Sequence, residues 1–155
     1  MARDWREYLI AGDAGIRELL AGTRRIAVLG IKPESRSWKP AHYVPRYLLD
    51  AGFEILPVPV YYPGIDSILG KPVYRAVADV PRPIDLVDVF RRSEDLPAHT
   101  ADLIAADPAA VWFQAGIRDD AVAEELARAG ITVVQDRCLM VEHRRLQAGP
   151  APAEP

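Results

Sequence analysis

Hydrophobic residues along the chain fall into short runs separated by stretches with helical patterns. Five apolar runs of strand length lie at 25–29, 53–60, 84–90, 110–114 and 131–134. Between and around them, helices are predicted at 14–22, from near His42 to 51, and at 93–106, 119–129 and 136–146. Strands that alternate with helices in this way predict right-handed βαβ units and one parallel sheet.

The predicted fold is therefore α/β and Rossmann-like, with a five-stranded parallel sheet in the order 3-2-1-4-5 and helices on both faces. A chain of 155 residues is expected to form one domain. We place that domain at 14–146, after an N-terminal extension of residues 1–13. Residues 147–155 are rich in Ala and Pro and are predicted to be a disordered tail.

Three local features of the helices follow from cap and proline preferences. Pro45 is expected in the first turn of the second helix, where its missing N–H has no intrahelical partner to lose. Ser93 is predicted to cap the helix at 93–106, and Asp136 the last helix.

The first strand ends at Gly30, and the loop after it is cationic. An apolar run that ends in Gly before a polar loop is typical of a phosphate-binding first βα turn. Ser35 and the next helix N-terminus add donors to this loop. Its charged residues are three cations and one acid: Lys32, Arg36, Lys39 and Glu34. A solvated loop whose charges pair with neighbours explains the same residues, and the loop alone does not separate the two interpretations.

The standard dinucleotide fingerprint is absent from this loop. The pattern G-x-G-x-x-G, counted from Gly30, requires glycines where Lys32 and Ser35 stand. The end of the second strand, at 57–61, also lacks the acid that usually binds a ribose of NAD. The sequence therefore disfavours NAD.

Several segments together resemble a known family. In order they are RIAVLG at 25–30, ILPV at 55–58, LG at 69–70, IDLVDVFR at 84–91, VWFQAGI at 111–117, VVQDRC at 133–138 and EH at 142–143. They resemble the small stand-alone CoA-binding proteins, which are related to the CoA-binding domain of the succinyl-CoA synthetase α subunit. The resemblance covers roughly residues 14–146.

This resemblance implies that CoA lies over the carboxyl ends of the strands, with its phosphates on the loop after Gly30. Gln114 would offer its amide to a carbonyl or hydroxyl of pantetheine, and Trp38 would either cover the ligand or partly fill its site. The implied cofactor-binding residues are Gly30, Ile31, Lys32, Ser35, Arg36, Lys39, Pro57, Val58, Tyr61, Phe90, Arg91, Gln114 and Gly116. Structural roles remain alternatives for several of them: a strand exit for Tyr61, core for Phe90, a solvated charge for Arg91 and a tight turn for Gly116.

A reactive thiol is the most tempting catalytic interpretation of the sequence. Cys138 is predicted near a helix N-terminus, which lowers thiol pKa values in other proteins. Buried cysteines are commonly inert, and we favour that interpretation. We expect no metal site, since Cys138, Glu142 and His143 have no second ligand pair.

The leading hypothesis is a protein that binds CoA or a short acyl-CoA and has no self-contained catalytic site. The alternatives are a CoA-presenting subunit of an acyl-CoA ligase-type enzyme and a sensor of NAD or another adenine nucleotide. A net charge of −3 argues against nucleic acid as a partner. No apolar segment suits a membrane, so a cytoplasmic location is expected. An exposed sheet edge and Trp112-Phe113 leave a homodimer open.

Overall fold

The computed structural model describes residues 3–150. The helices are α1 (Asp13–Ala21), α2 (Pro40–Asp50), α3 (Thr100–Ala106), α4 (Asp120–Arg128) and α5 (Leu139–Leu146). The strands are β1 (Arg25–Leu29), β2 (Glu54–Val58), β3 (Ser67–Ile68), β4 (Lys71–Pro72), β5 (Leu86–Val89), β6 (Ala110–Phe113) and β7 (Thr132–Val134). Short 3₁₀ helices lie at Trp5–Tyr8, Glu34–Arg36, Val77–Asp79 and Ser93–His99.

The main sheet consists of β2, β1, β5, β6 and β7, side by side in that order and all parallel. This arrangement confirms the predicted Rossmann-like α/β fold. The antiparallel β3–β4 hairpin lies beyond β2, in the place where the 3-2-1-4-5 pattern has its outermost strand. Just after this hairpin, the Tyr74 N–H donates to the Pro57 carbonyl of β2 (2.9 Å).

One detail of the strand order differs from the prediction. The run predicted as the third strand is β5, and it lies beside β1 on the side away from β2. The segment that does lie outside β2, with the β3–β4 hairpin, is not a strand of the main sheet. The Pro57 carbonyl points to this outer edge, and the nitrogen of the same residue points there too. Because proline has no N–H, the outer edge of β2 lacks one hydrogen-bond donor. A full ladder outside β2 is therefore disfavoured.

Both faces of the sheet are covered by helices, as predicted. Alternate residues of β1 point to opposite faces, so Ile26 and Val28 pack toward α1, α2 and α5, while Ala27 and Leu29 pack toward α3 and α4. Trp112 and Phe113 follow the same alternation, and neither has any exposed surface. The suggestion that these two aromatic residues support a homodimer was therefore wrong.

Helix α2 begins earlier than predicted, at Pro40, so Pro45 lies inside the helix and not in its first turn. Pro45 cannot donate to the carbonyl of Ala41, which would normally accept an N–H from the residue four positions later. That carbonyl instead accepts the Lys32 N–H at 3.1 Å. The interior proline is thus tolerated, and it attaches the loop after β1 to α2.

The two side chains predicted to cap helices bond instead to backbone N–H groups in the loop between β6 and α4. The Ser93 hydroxyl accepts the Arg118 N–H (2.9 Å), and an Asp136 carboxylate oxygen accepts the Gly116 N–H (2.6 Å). Ser93 begins a 3₁₀ helix that precedes α3, and no side chain caps α5. Both cap predictions were wrong, because each side chain finds a backbone donor that is distant in sequence.

The chain termini run along the body of the domain as far as they are described. The Ile10 N–H donates to the Val133 carbonyl (2.9 Å), so the N-terminal segment lies against the outer edge of β7. Gly149 lies close to the Leu20 carbonyl and the Phe53 ring. Of the tail predicted at 147–155, residues 151–155 lie outside the described residues. Among residues 3–150, each helix is too short or too polar to cross a membrane.

The end of β1 is held against both of its neighbours. The Gly30 N–H donates to the Val58 carbonyl and the Phe90 N–H to the Leu29 carbonyl, both at 2.8 Å. Gly30 has a φ of +88°, and a Cβ added there would lie 2.3 Å from the Phe90 carbonyl oxygen. A glycine is therefore required at this position both for its conformation and for the space it leaves.

Replacing Gly30 by alanine is expected to destabilise the protein by more than about 2 kcal/mol, because left-handed strain adds to a backbone collision. Urea unfolding of Gly30→Ala would measure this loss. Gly64→Ala is the matched control, since a Cβ there meets no atom within 4 Å and its φ is not left-handed. Equal stability of the two variants would contradict the close packing at Gly30.

Candidate functional site

A cleft of about 970 Å³ lies at the carboxyl ends of the strands. This is the edge where open parallel sheets bind their ligands, and the volume suits a cofactor-sized molecule. Its walls are the loop after β1 with the start of α2, the loops after β5 and β6, and the residue before α5. The lining residues are Lys32, Lys39, Pro40, Ala41, Tyr43, Val44, Phe90, Arg91, Arg92, Ser93, Glu94, Asp95, Gln114, Ala115, Gly116, Ile117 and Cys138.

The residues predicted to bind a cofactor divide into three groups. Those that line the cleft are Lys32, Lys39, Phe90, Arg91, Gln114 and Gly116. Those buried beside or below it are Gly30, Ile31, Pro57 and Val58, of which Ile31 and Val58 belong to the hydrophobic core. Those exposed outside the cleft lining are Ser35, Arg36 and Tyr61.

The Trp38 ring does not fill the cleft. It is 63% exposed and is not among the lining residues. The guanidinium of Arg36 lies over it, 5.6 Å from the ring centroid, which is a cation–π distance. Tyr61 is likewise exposed, and it packs edge to face on Tyr62.

The acid of the loop is bonded away from the loop's cations. One Glu34 carboxylate oxygen accepts from His42 Nε2 (2.7 Å) and from the Leu69 N–H (3.1 Å). This double contact attaches the loop to α2 and to the β3–β4 hairpin. Within residues 3–150, no salt bridge involves the loop's cations, Lys32, Arg36 and Lys39. Their charges are therefore free to meet an anion.

Arg91 is a half-buried cation on the opposite wall of the cleft. Its Nε donates to His99 Nε2 (3.2 Å), and an Nη lies 3.4 Å from an Asp95 carboxylate oxygen. Burial lowers the pKa of His99, and the neighbouring charge of Arg91 lowers it further. The neutral imidazole can then accept the Arg91 N–H, which fixes the side chain at the cleft wall.

An acid that the sequence analysis did not select lies beneath the cleft. Asp88 is in the middle of β5, in register with Val28 and Trp112, and has no exposed surface. Gln114 Nε2 donates to its Oδ1 at 2.5 Å, and its Oδ2 is buried without a partner among the described residues. Burial raises the pKa of Asp88 to about 7, although the hydrogen bond from Gln114 opposes this rise. The signal in the sequence was an acid inside an otherwise apolar strand.

Cys138 lines the cleft at the N-terminus of α5, where it is half-buried. Glu142, four residues further along the chain, accepts from Arg145. Among residues 3–150, no group of three His, Cys, Asp or Glu side chains is arranged to hold a metal ion.

The Bacillus subtilis (strain 168) protein YneT, described as uncharacterized, is 37% identical to this chain over 130 residues, which are 84% of this chain and 93% of YneT. A solved structure from Thermus thermophilus, "cell-free ID.343", is 40% identical with a TM-score of 0.80, covering 88% of this chain and 99% of its own. Both similarities extend over nearly the whole domain.

A more distant similarity bears on the fold alone. The acetyl-coenzyme A synthetase 1 of Ca. Korarchaeum cryptofilum superposes with a TM-score of 0.63 at 20% identity, covering 76% of this chain and 26% of the synthetase. The CoA binding domain model, in turn, matches residues 24–144. This match includes the strand β1, the cationic loop and every residue that lines the cleft, and it confirms the resemblance inferred from the motifs. The chain therefore belongs to the CoA binding domain family.

Proposed function

We propose that this protein binds CoA, or a short acyl-CoA, in the cleft and releases it unchanged. The observation that carries the proposal is that two cations, Lys32 and Lys39, form no salt bridge within residues 3–150 and lie on a loop that lacks the dinucleotide glycines. Membership of the CoA binding domain family supports CoA binding in general. The choice of CoA over other nucleotides rests on the charges and shape of the cleft.

The phosphates of CoA are assigned to the loop side of the cleft. Lys32 and Lys39 line that side, and α2 begins there at Pro40 with the positive end of its dipole. Arg36 lies outside the lining and is proposed to approach a phosphate from the rim. These groups act on charge, so binding should weaken as salt is added.

The pantetheine arm is assigned to the apolar side of the cleft. Phe90 and Ile117, both half-buried, contribute hydrophobic surface there, and Gln114 offers a polar group beside them. Apolar walls with a few placed polar groups are typical of small-molecule sites. The thiol end of the arm would then lie toward Cys138 or the open mouth of the cleft.

Calorimetric titration with CoA, acetyl-CoA and NAD tests the proposal. We expect both CoA compounds to bind and NAD to bind at least about tenfold more weakly, which is a difference of about 1.4 kcal/mol. Mass spectrometry of the ligand after incubation should recover it unchanged. Preferential binding of NAD would favour the nucleotide-sensor alternative, and conversion of the acyl-CoA would overturn the non-catalytic part.

Removing one loop cation should weaken CoA binding. Lys32→Ala is expected to raise the Kd about tenfold at low salt, because it deletes a charge-assisted contact to phosphate. Lys71→Ala is the matched control, since Lys71 is in the β3–β4 hairpin and outside the cleft lining. If both variants bind CoA as tightly as the wild type, the phosphate assignment is wrong.

A further inference from the structure

The buried carboxyl of Asp88 and the cleft are connected through one side chain. Asp88 is on the face of β5 that packs toward α1, α2 and α5, and none of its surface is exposed. Gln114 is 5% exposed, lines the cleft and donates to Asp88 Oδ1 through Nε2 at 2.5 Å. A change at Asp88 therefore reaches a ligand in the cleft through Gln114.

The hydrogen bond fixes which end of the Gln114 amide is available to a ligand. With Nε2 turned toward Asp88, the carbonyl oxygen Oε1 is the other end of the amide. Asp88 Oδ2 is buried and has no hydrogen-bond partner among the described residues. Gln114 Oε1 is not buried in this way. The cleft is thus offered a hydrogen-bond acceptor, and the carboxyl below keeps one oxygen unpaired.

Several titratable groups on the helices of this face are bonded elsewhere, and on α1 the Asp13 carboxylate accepts from Arg145. On α2, His42 bonds to Glu34, and on α5, Glu142 bonds to Arg145 while His143 bonds to the Tyr47 hydroxyl. The titratable and charged residues at the cleft itself are Lys32, Lys39, Tyr43, Arg91, Arg92, Glu94, Asp95 and Cys138. Burial and the hydrogen bond from Gln114 are the causes that shift the pKa of Asp88, so no salt-bridge partner sets its protonation.

We propose that Asp88 is a positioning residue for the ligand: its carboxylate holds Gln114 so that Oε1 accepts an amide N–H of the pantetheine arm, and protonation of Asp88 reverses this orientation. A protonated carboxyl can donate its O–H to Oε1, which turns the Gln114 amide and presents N–H groups to the cleft. The inference rests on the proposed binding of CoA and names the polar contact within it.

The direction of the pH effect follows from the state of Asp88. Burial raises its pKa to about 7, so the carboxylate that presents Oε1 dominates above this value and the neutral carboxyl dominates below it. Affinity for the pantetheine amide is therefore present at higher pH and lost as the pH falls through about 7. Proton uptake by the free protein competes with ligand binding.

The test is calorimetric titration of the full chain with CoA at about pH 6 and about pH 8, either side of the Asp88 transition. The wild type is compared with Asp88→Asn, in which Asn can still accept from Gln114 but does not titrate. We expect the ratio of wild-type Kd to variant Kd to rise about tenfold toward the lower pH. The CoA phosphate also titrates at about pH 6, but it does so for both proteins and cancels in the ratio.

Two further variants make the outcome specific. Gln114→Met should bind CoA more weakly than the wild type at the higher pH and lose the Asp88-linked pH change, whereas Asp66→Asn, at an exposed acid outside the cleft lining, should keep the wild-type profile. If the ratio of wild-type Kd to Asp88→Asn Kd is the same at both pH values, the inference is overturned. It is also overturned if Gln114→Met keeps the wild-type pH profile, and this second result decides the question if Asp88→Asn does not fold. If the wild type binds CoA but the pH profiles of the wild type, Asp88→Asn and Gln114→Met coincide, the inference about Asp88 fails and the proposed function stands without it. If it binds no CoA at either pH, both fail.

Discussion

The close approach of β1 and β5 at Gly30 is the constraint on which the rest of the site depends. The Gly30 N–H joins β2 while its bare α-carbon faces the Phe90 carbonyl, so three strands end at one level. The loops that leave these strands consequently begin side by side. The loop after β1 carries the cations Lys32 and Lys39, and the loop after β5 carries Arg91, so the cleft has cations on two facing walls.

The loop after β1 is shaped by contacts that leave its cations without a salt bridge among the described residues. The Lys32 N–H satisfies the carbonyl that Pro45 leaves open in α2, and Glu34 bonds to His42 and Leu69. Neither contact involves the side-chain amine of Lys32 or Lys39. The loop is thus held at its backbone and at its acid, while its positive charges remain available for an anion.

Most of the fold was predictable because its signals are local. The strand at 25–29 and the helix at 119–129 follow from short-range patterns, and the structure has them within one or two residues. The misplaced features depend on partners distant in sequence. Asp136 and Ser93 bond to the backbone at Gly116 and Arg118, and the Asp88–Gln114 contact spans 26 positions. No local preference contains that information.

The most direct test of the central claim is a crystal structure of the protein with CoA. We expect the phosphates beside Lys32 and Lys39, and the pantetheine arm across Phe90 toward Gln114. The same crystals would show directly whether Gln114 Oε1 lies within hydrogen-bond distance of a pantetheine amide nitrogen. CoA bound at another surface, with the cleft occupied by solvent, would contradict the assignment of this cleft as the binding site.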